Sequence, residues 1–429
     1  MKKIKAILIG AGARGIGYTD IMSEKPEQFE VVAVAEPIEN RREHVKNKHH
    51  IPDAYCFSDY KELLKLGKIA DLAIIGTMDR MHFEPAMEAI RLHYDLLLEK
   101  PIAPTAEECL EITRAAKEQG VKVVICTVLR YTPVFCTIKD LIDSGKIGRV
   151  MSVNHEECVG NLHQSHSFVR GNWGNSDRSS AMLLQKSCHD LDILEWLIGK
   201  KCKKIQSFGS LSYFKAENTP QGAPEYCIEG CPVGDTCPYN AKKLYLDEGA
   251  TGWFRRAATR EVAPTDESVK KAISTTQYGK CVYKCDNDVV DHQTVNMLFE
   301  DDVTVTFSMN AFNMGGRQIH IMGTEGELYA HLEGNRPIHL YTFADRTETD
   351  VEPNLRSNFA GGHSGGDQGL VEDLYDYLAG TYHGKSIPDI EESCYNHMLV
   401  FAAERSRAEN TVVDVAEYIR SVGADWLKE

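Results

Sequence analysis

Ile4-Lys5-Ala6-Ile7-Leu8-Ile9-Gly10-Ala11-Gly12-Ala13-Arg14-Gly15 decides the fold of this 429-residue chain. Its first half is almost wholly apolar, as a strand buried on both faces must be, and a glycine-rich turn follows at once. The glycines of this turn divide three tasks: a tight bend, close approach of backbone to a pyrophosphate, and close packing of the next helix on the strand. That helix offers unpaired N–H groups and a favourable dipole to phosphate oxygens. Gly10, Gly12, Ala13, Arg14 and Gly15 are therefore candidate dinucleotide contacts. Glu36 ends the second apolar run, where a carboxylate reaches the adenosine ribose hydroxyls and repels a 2′-phosphate. The pattern favours NAD; Arg41 and Arg42, a few residues on, keep NADP as an alternative.

The same rhythm continues outward from this segment. Val31–Ala35, Leu72–Ile75, Asp95–Leu98 and Val123–Cys126 read as further strands, with helical patterns such as Pro85–Leu92 and Ala106–Gln119 between them. Strand and helix alternating at this spacing predict a doubly wound parallel sheet, an α/β Rossmann domain over 1–128. After Arg130 the pattern changes. Helices are predicted at Val134–Ser144 and through Leu183, Leu184, Cys188, Leu191, Leu194 and Leu197, which recur at a helical period. Val150–Glu157, Thr294–Phe299, Val303–Ser308, Gln318–Met322 and Glu327–His331 alternate or run apolar as strands, and Asp367–Leu378 and Glu391–Glu409 read as closing helices. The prediction for 129–429 is an α+β domain with an open, mostly antiparallel sheet, interrupted by a Cys-rich insertion at about 215–288. An open sheet face of this kind suits a homodimer or homotetramer.

A formal net charge of −15 argues against nucleic acid or an anionic membrane as the main partner. No apolar run approaches the roughly 18–20 residues of a membrane span. The opening residues read as a strand and not as a signal peptide, because their apolar run is short and meets a glycine turn. Thirteen cysteines then point to a reducing compartment, and the expectation is a cytoplasmic protein.

Glu99-Lys100-Pro101, at the carboxyl edge of the predicted sheet, resembles the Glu-Lys-Pro signature of the glucose–fructose oxidoreductase/inositol dehydrogenase/MocA (Gfo/Idh/MocA) family. Gly76-Thr77, His82, Arg130-Tyr131, Gly145-Lys146-Ile147-Gly148-Arg149 and Gly323-Thr324-Glu325-Gly326 match other family features. The resemblance implies Thr77, His82, Glu99 and Lys100 on the cofactor side, with Lys100 also touching the substrate hydroxyl. It implies an acid/base histidine at His189, in the segment Gln185-Lys186-Ser187-Cys188-His189-Asp190-Leu191-Asp192. Many members carry an aspartate four residues before that histidine; this chain has Gln185. Lys186 is then a candidate second catalytic cation, and Asp192 a candidate to orient the imidazole.

Tyr131 and a polar loop with His163, His166, Arg170, Asn172 and Trp173 suggest substrate contacts, since a sugar pocket needs planar donors and an aromatic platform. The turn Gly361-Gly362-His363-Ser364-Gly365-Gly366-Asp367 resembles a His-Gly-Gly turn of sugar-acting branches and nominates His363; Asp367 alternatively caps its helix. Cys227, Cys231 and Cys237, with Cys281 and Cys285, allow a four-thiolate zinc site, reduced free thiols, or an iron–sulfur or redox role. The expected function is oxidation of a secondary hydroxyl of a sugar, polyol or glycoside by hydride transfer. The alternative is an NAD-dependent glycosidase working through a 3-keto intermediate and elimination, and a third reading is a non-catalytic cofactor-binding protein.

Overall fold

The computed structural model describes residues 3–247, 250–354 and 362–427. Its first sheet consists of β1 (Ile4–Ile9), β2 (Phe29–Ala35), β3 (Cys56–Phe57), β4 (Leu72–Ile75), β5 (Asp95–Leu98) and β6 (Val123–Ile125). All pairs are parallel, in the order β3-β2-β1-β4-β5-β6. The order reverses between β1 and β4, so a crevice opens at their carboxyl ends, where ligands bind in doubly wound sheets. Ile7, Leu8, Ile74 and Leu97 are buried, which is why these strands are apolar on both faces.

The second sheet comprises β7 (Val150–Cys158), β8 (Cys202–Ser210), β9 (His292–Phe299), β10 (Thr304–Asn310), β11 (Gly316–Gly323), β12 (Gly326–His331), β13 (Ile338–Thr342), β14 (Thr347–Val351) and β15 (Val413–Asp414). Its order is β14-β13-β12-β11-β7-β10-β9-β8-β15, antiparallel except for the β7–β10 pair. Val305, Phe307 and Met309 face the core while Thr304 and Thr306 face outward, as alternation demands. The helices Met182–Ile198 and Ile390–Glu409 cover the inner face, adding Leu191, Leu194, Met398 and Leu399 to the same core.

Sequence reading missed β3, β8 and β13–β15. Two-residue strands carry no periodicity, β8 breaks its alternation with paired lysines, and β14 (Thr-Glu-Thr-Asp-Val) is polar on both faces. The insertion is more structured than a loop. Its helices Ala241–Tyr245, Gly252–Thr259 and Asp266–Thr275 form a small core of their own around Leu244, Phe254, Val269 and Ile273.

Arg130, between the two sheets, is buried, and its guanidinium pairs bidentately with Asp192 at 2.7 and 2.9 Å. Glu392 accepts a further ion pair from Arg130 at 2.7 Å, and Asn396 donates to Asp192 at 2.8 Å. These contacts tie the junction to both covering helices. Removing one partner strands a buried charge. Asp192→Ala is therefore expected to lower unfolding free energy by about 3–5 kcal/mol, read from denaturant titration; a loss below about 1 kcal/mol would reduce the pair to the worth of a surface one.

Candidate active site

The glycine turn closes on the start of the β4 loop. Gly10 has φ of 88°, and a Cβ there would lie 2.8 Å from the Gly76 backbone. A Cβ on Gly15 would collide with the Gly10 carbonyl, so both positions need glycine. Gly12 caps the helix Ala13–Ser23 with no side-chain cap and no acid in the first turn. The first N–H groups are thus left for an anion, and this cradle fits a dinucleotide pyrophosphate. The Glu36 carboxylate is buried and accepts from Ala11 N at 2.7 Å and Ile38 N at 2.9 Å, which braces the turn. Each oxygen retains acceptor capacity. Arg42 donates to the Glu36 carbonyl at 2.6 Å, and Arg41 donates to the Arg260 carbonyl at 3.1 Å, bringing the insertion to the adenosine edge.

Arg14 reaches away from that cradle. It pairs with Glu99 at 2.8 Å and Asp367 at 2.6 Å, and lies 3.3 Å from His363 Nδ1. Burial favours the neutral form of Glu99, but Arg14, Lys100 and Tyr18 outweigh it and hold the carboxyl below its ordinary range. His82 is buried with its ring nitrogens 2.8 Å from the Pro101 carbonyl and 3.2 Å from the Thr77 carbonyl, so it fixes the two loops flanking the cofactor side. The Thr77 hydroxyl donates to Met81 O at 3.0 Å. The Lys100–Pro101 bond is cis.

Lys100 Nζ donates to the Gln185 carbonyl at 2.6 Å, which aims the ammonium at the helix carrying His189. His189 is buried, and its Nδ1 has no hydrogen-bond partner among the described residues. Burial first, then Lys100, Arg317, His363 and Lys186, push its pKa well below the ordinary value. The His363 ring centre stands 6.3 Å away, and its Nδ1 is 3.1 Å from Asp367. His363 lies in the described part of the predicted turn; Gly361 is outside the described residues.

Helical spacing separates two further roles. Lys186 and Asp190, one turn apart, face β7, whose alternation points His155 and Glu157 inward. Lys186 pairs with Glu157 at 3.1 Å; Arg317 pairs with Glu157 at 2.5 Å and with Asp190 at 2.8 Å; His155 lies 2.8 Å from Asp190. Sequence reasoning missed Arg317, although it shares a strand face with the buried Ile319 and Ile321, and a charge on an apolar face was the available signal.

Several expected contacts fall elsewhere. Asp192 does not orient His189, because Arg130 and Asn396 occupy its carboxylate. Tyr131 packs with Leu370 and Leu374 in the first sheet's core. Arg170 turns under the insertion, donating to Lys280 O at 2.8 Å and Tyr239 O at 2.7 Å. His166 stacks on Phe254 at 4.1 Å and bonds Tyr245 OH at 2.8 Å, and burial lowers its pKa to about 3. Trp173 lies 6.1 Å from Phe168, one layer behind His163. His163 is the loop histidine within the field of Lys186, Arg317 and Lys100. Beside it, at 5.2 Å, stands Trp253, an exposed indole from the insertion that sequence reading overlooked. The Gln185 side chain is also diverted: it donates to Ser180 Oγ at 2.9 Å and to Asp79, a buried carboxylate whose Oδ1 lacks a partner among the described residues. Burial raises the Asp79 pKa against the pull of His82 and Lys100. Among the described residues no three His, Cys, Asp or Glu side chains converge on one metal ion, so the single-zinc reading of the insertion gains no support.

Residues 4–127 match the NAD-binding Rossmann fold of the Gfo/Idh/MocA oxidoreductase family, and residues 139–415 match its C-terminal alpha/beta domain. A Bacillus subtilis protein named as an oxidoreductase, YteT, is 25% identical over 364 residues, covering 78% of this chain and 80% of that protein. The inositol 2-dehydrogenase of Salmonella typhimurium is 25% identical over 206 residues, 48% of this chain and 57% of that enzyme. The match thus spans little more than half of that dehydrogenase. Among solved structures, levoglucosan dehydrogenase with NADH and levoglucosan superposes with a TM-score of 0.70 at 16% identity, over 96% of this chain and 100% of that one. An Agrobacterium radiobacter oxidoreductase in complex with NAD+, L-tartaric acid and magnesium gives 0.68 at 14%, over 97% and 99%. Such identities speak for the fold alone. With both family domains matched along nearly its whole length, the chain belongs to the Gfo/Idh/MocA family of NAD-binding oxidoreductases.

Proposed function

We propose that this oxidoreductase removes a hydride and a proton from a secondary hydroxyl of a sugar, polyol or glycoside, with residues 1–128 holding the cofactor and 129–429 the substrate. The observation that carries the reading is the unpartnered Nδ1 of buried His189 beside the Lys100 ammonium. NAD, when bound, supplies the hydride acceptor. His189 takes the hydroxyl proton on a ring nitrogen, and Lys100 stabilises negative charge developing on the oxygen. Trp253 offers the apolar platform and His163 a polar contact at the same mouth. The relative named as an inositol 2-dehydrogenase supports a polyhydroxylated substrate.

The second reading, glycoside cleavage through a transient 3-keto sugar, draws on one observation: the second imidazole, His363, is 6.3 Å from His189 and paired with Asp367. Elimination needs a base for the carbon-bound proton besides the one that serves the hydroxyl.

Purified protein with NAD and a panel of myo-inositol, aldoses, levoglucosan and aryl glycosides is expected to show rising absorbance of reduced cofactor with one class. His189→Ala should lower that rate roughly 10²–10⁴-fold with unchanged NAD affinity; retained activity refutes the assignment. Aglycone release without lasting reduced cofactor would select the second reading. Because the His189 pKa is depressed, its proton-free form persists as pH falls through the ordinary imidazole value of 6.5. Substrate oxidation should therefore hold level through that range and be lost only below it; an acid limb at or above 6.5 with wild-type protein would assign the proton to another group. Trp253→Ala is expected to raise the substrate KM about 3- to 10-fold, the equivalent of ~0.5–1.5 kcal/mol of ring contact, while leaving NAD binding untouched.

A further inference from the structure

The insertion gathers cysteines that the oxidoreductase site does not use. A β-bridge between Tyr226 and Lys280 is extended by Cys227 N to Gly279 O at 2.9 Å and Cys281 N to Glu225 O at 2.8 Å, which sets Cys227 across from Gly279 and Cys281 across from Glu225, the two cysteines on neighbouring diagonal positions of the paired segments. A compact turn, with Gly234 N to Cys231 O at 3.0 Å and Cys237 N to Val233 O at 2.8 Å, brings Cys231 and Cys237 to the same place. These four cysteines line a single cavity, together with apolar groups such as Pro220, Ala223, Val233 and Val282 and the polar Arg170 and Asn240. Cys285 is not part of that wall; its Sγ contacts the Cys281 carbonyl at 3.4 Å.

Two observations point to what such a cavity takes. First, its wall carries four thiols, the ligand number of an iron–sulfur cube as of a tetrahedral zinc site. Second, the buried Arg170 guanidinium also lines the cavity. It donates to two carbonyls and to Cys227 Sγ at 3.4 Å, its Nη1 has no partner, and no carboxylate pairs with it among the described residues. A buried cation without a counter-charge is costly, and the cavity it faces calls for an anion. Neutral thiols do not supply one; an anionic cluster on four thiolates does.

We propose that Cys227, Cys231, Cys237 and Cys281 bind a [4Fe–4S] cluster, which fastens the insertion beneath the substrate loop through Arg170. On binding, the four thiols lose their protons and form four iron–sulfur bonds; iron and sulfide enter preassembled and no electron is transferred to substrate. Arg170 ends the segment Gln164–Arg170, which carries His166 and follows His163 directly. The cluster therefore acts at a distance as a clamp on the loop that meets the substrate, and Cys285 is dispensable for it.

The test is the full-length protein purified without oxygen, assayed for iron, acid-labile sulfide and zinc, with a visible spectrum. About four iron and four sulfide per chain are expected, together with a broad visible absorption bleached by dithionite. Cys237→Ser should lose the iron and the absorption, Cys285→Ser should keep both, and NAD should still bind each variant. If Cys237→Ser fails to fold, the wild-type metal content alone decides the matter. One zinc per chain without iron, or metal-free protein that takes up neither ferrous iron nor sulfide on anaerobic reconstitution, overturns the proposal. None of these results depends on which hydroxyl compound the enzyme oxidises.

Discussion

Arg14 joins three stretches of chain that are far apart in sequence. It springs from the helix that follows the glycine turn, and its guanidinium is shared between Glu99, after β5, and Asp367, at the start of the helix Gly366–Ala379. Burial alone would drive both carboxyls toward their neutral forms. The guanidinium reverses that, aided at Glu99 by Tyr18 and at Asp367 by His363. Once Asp367 is held, His363 is held beside it at 3.1 Å, facing His189. The cofactor turn, the Glu-Lys-Pro segment and the histidine turn are thereby one electrostatic unit. A change at Arg14 would release both carboxylates and with them the imidazole.

A second balance sets the charge of the pocket. Lys100, Lys186 and Arg317 act on His189, while the carboxylates paired with these cations are Glu157 and Asp190. Glu157 and Asp190 thus match Lys186 and Arg317, while the Lys100 ammonium donates to the Gln185 carbonyl and lies in the field of Glu99 and Asp79. Burial first, and then these cations, hold the His189 pKa well below its ordinary value.

The Rossmann half was legible because its strands other than β3 are largely buried on both faces and so carry their own apolar runs. The family motifs marked Lys100 and His189 for the same reason that chemistry constrains them: they sit where backbone geometry leaves few alternatives. The sequence failed where position depends on a distant partner. Asp192 stands three residues from His189, yet two donors on other elements claim it. Arg170, His166 and Trp173 cluster in sequence with His163, but the insertion folds over the first two and Phe168 screens the third. Trp253 comes from a segment whose glycines, prolines and cysteines gave no periodicity to read. Composition could show that this segment was unusual but not which of its side chains stands beside His163.

Gln185 shows how such a long-range constraint alters a motif. Where many family members have an aspartate, this chain places a glutamine whose amide donates to Asp79, on the other sheet's loop. Asp79 is buried, and burial already raises its pKa. A second carboxylate at position 185 would repel it within the same low-dielectric space, forcing one of the two to take up a proton. A glutamine of similar size donates instead, and the site keeps one carboxylate near Lys100. The carboxylate thus comes from the loop after β4 and not from the helix Met182–Ile198. The departure at 185 and the presence of aspartate at 79 are two halves of one arrangement.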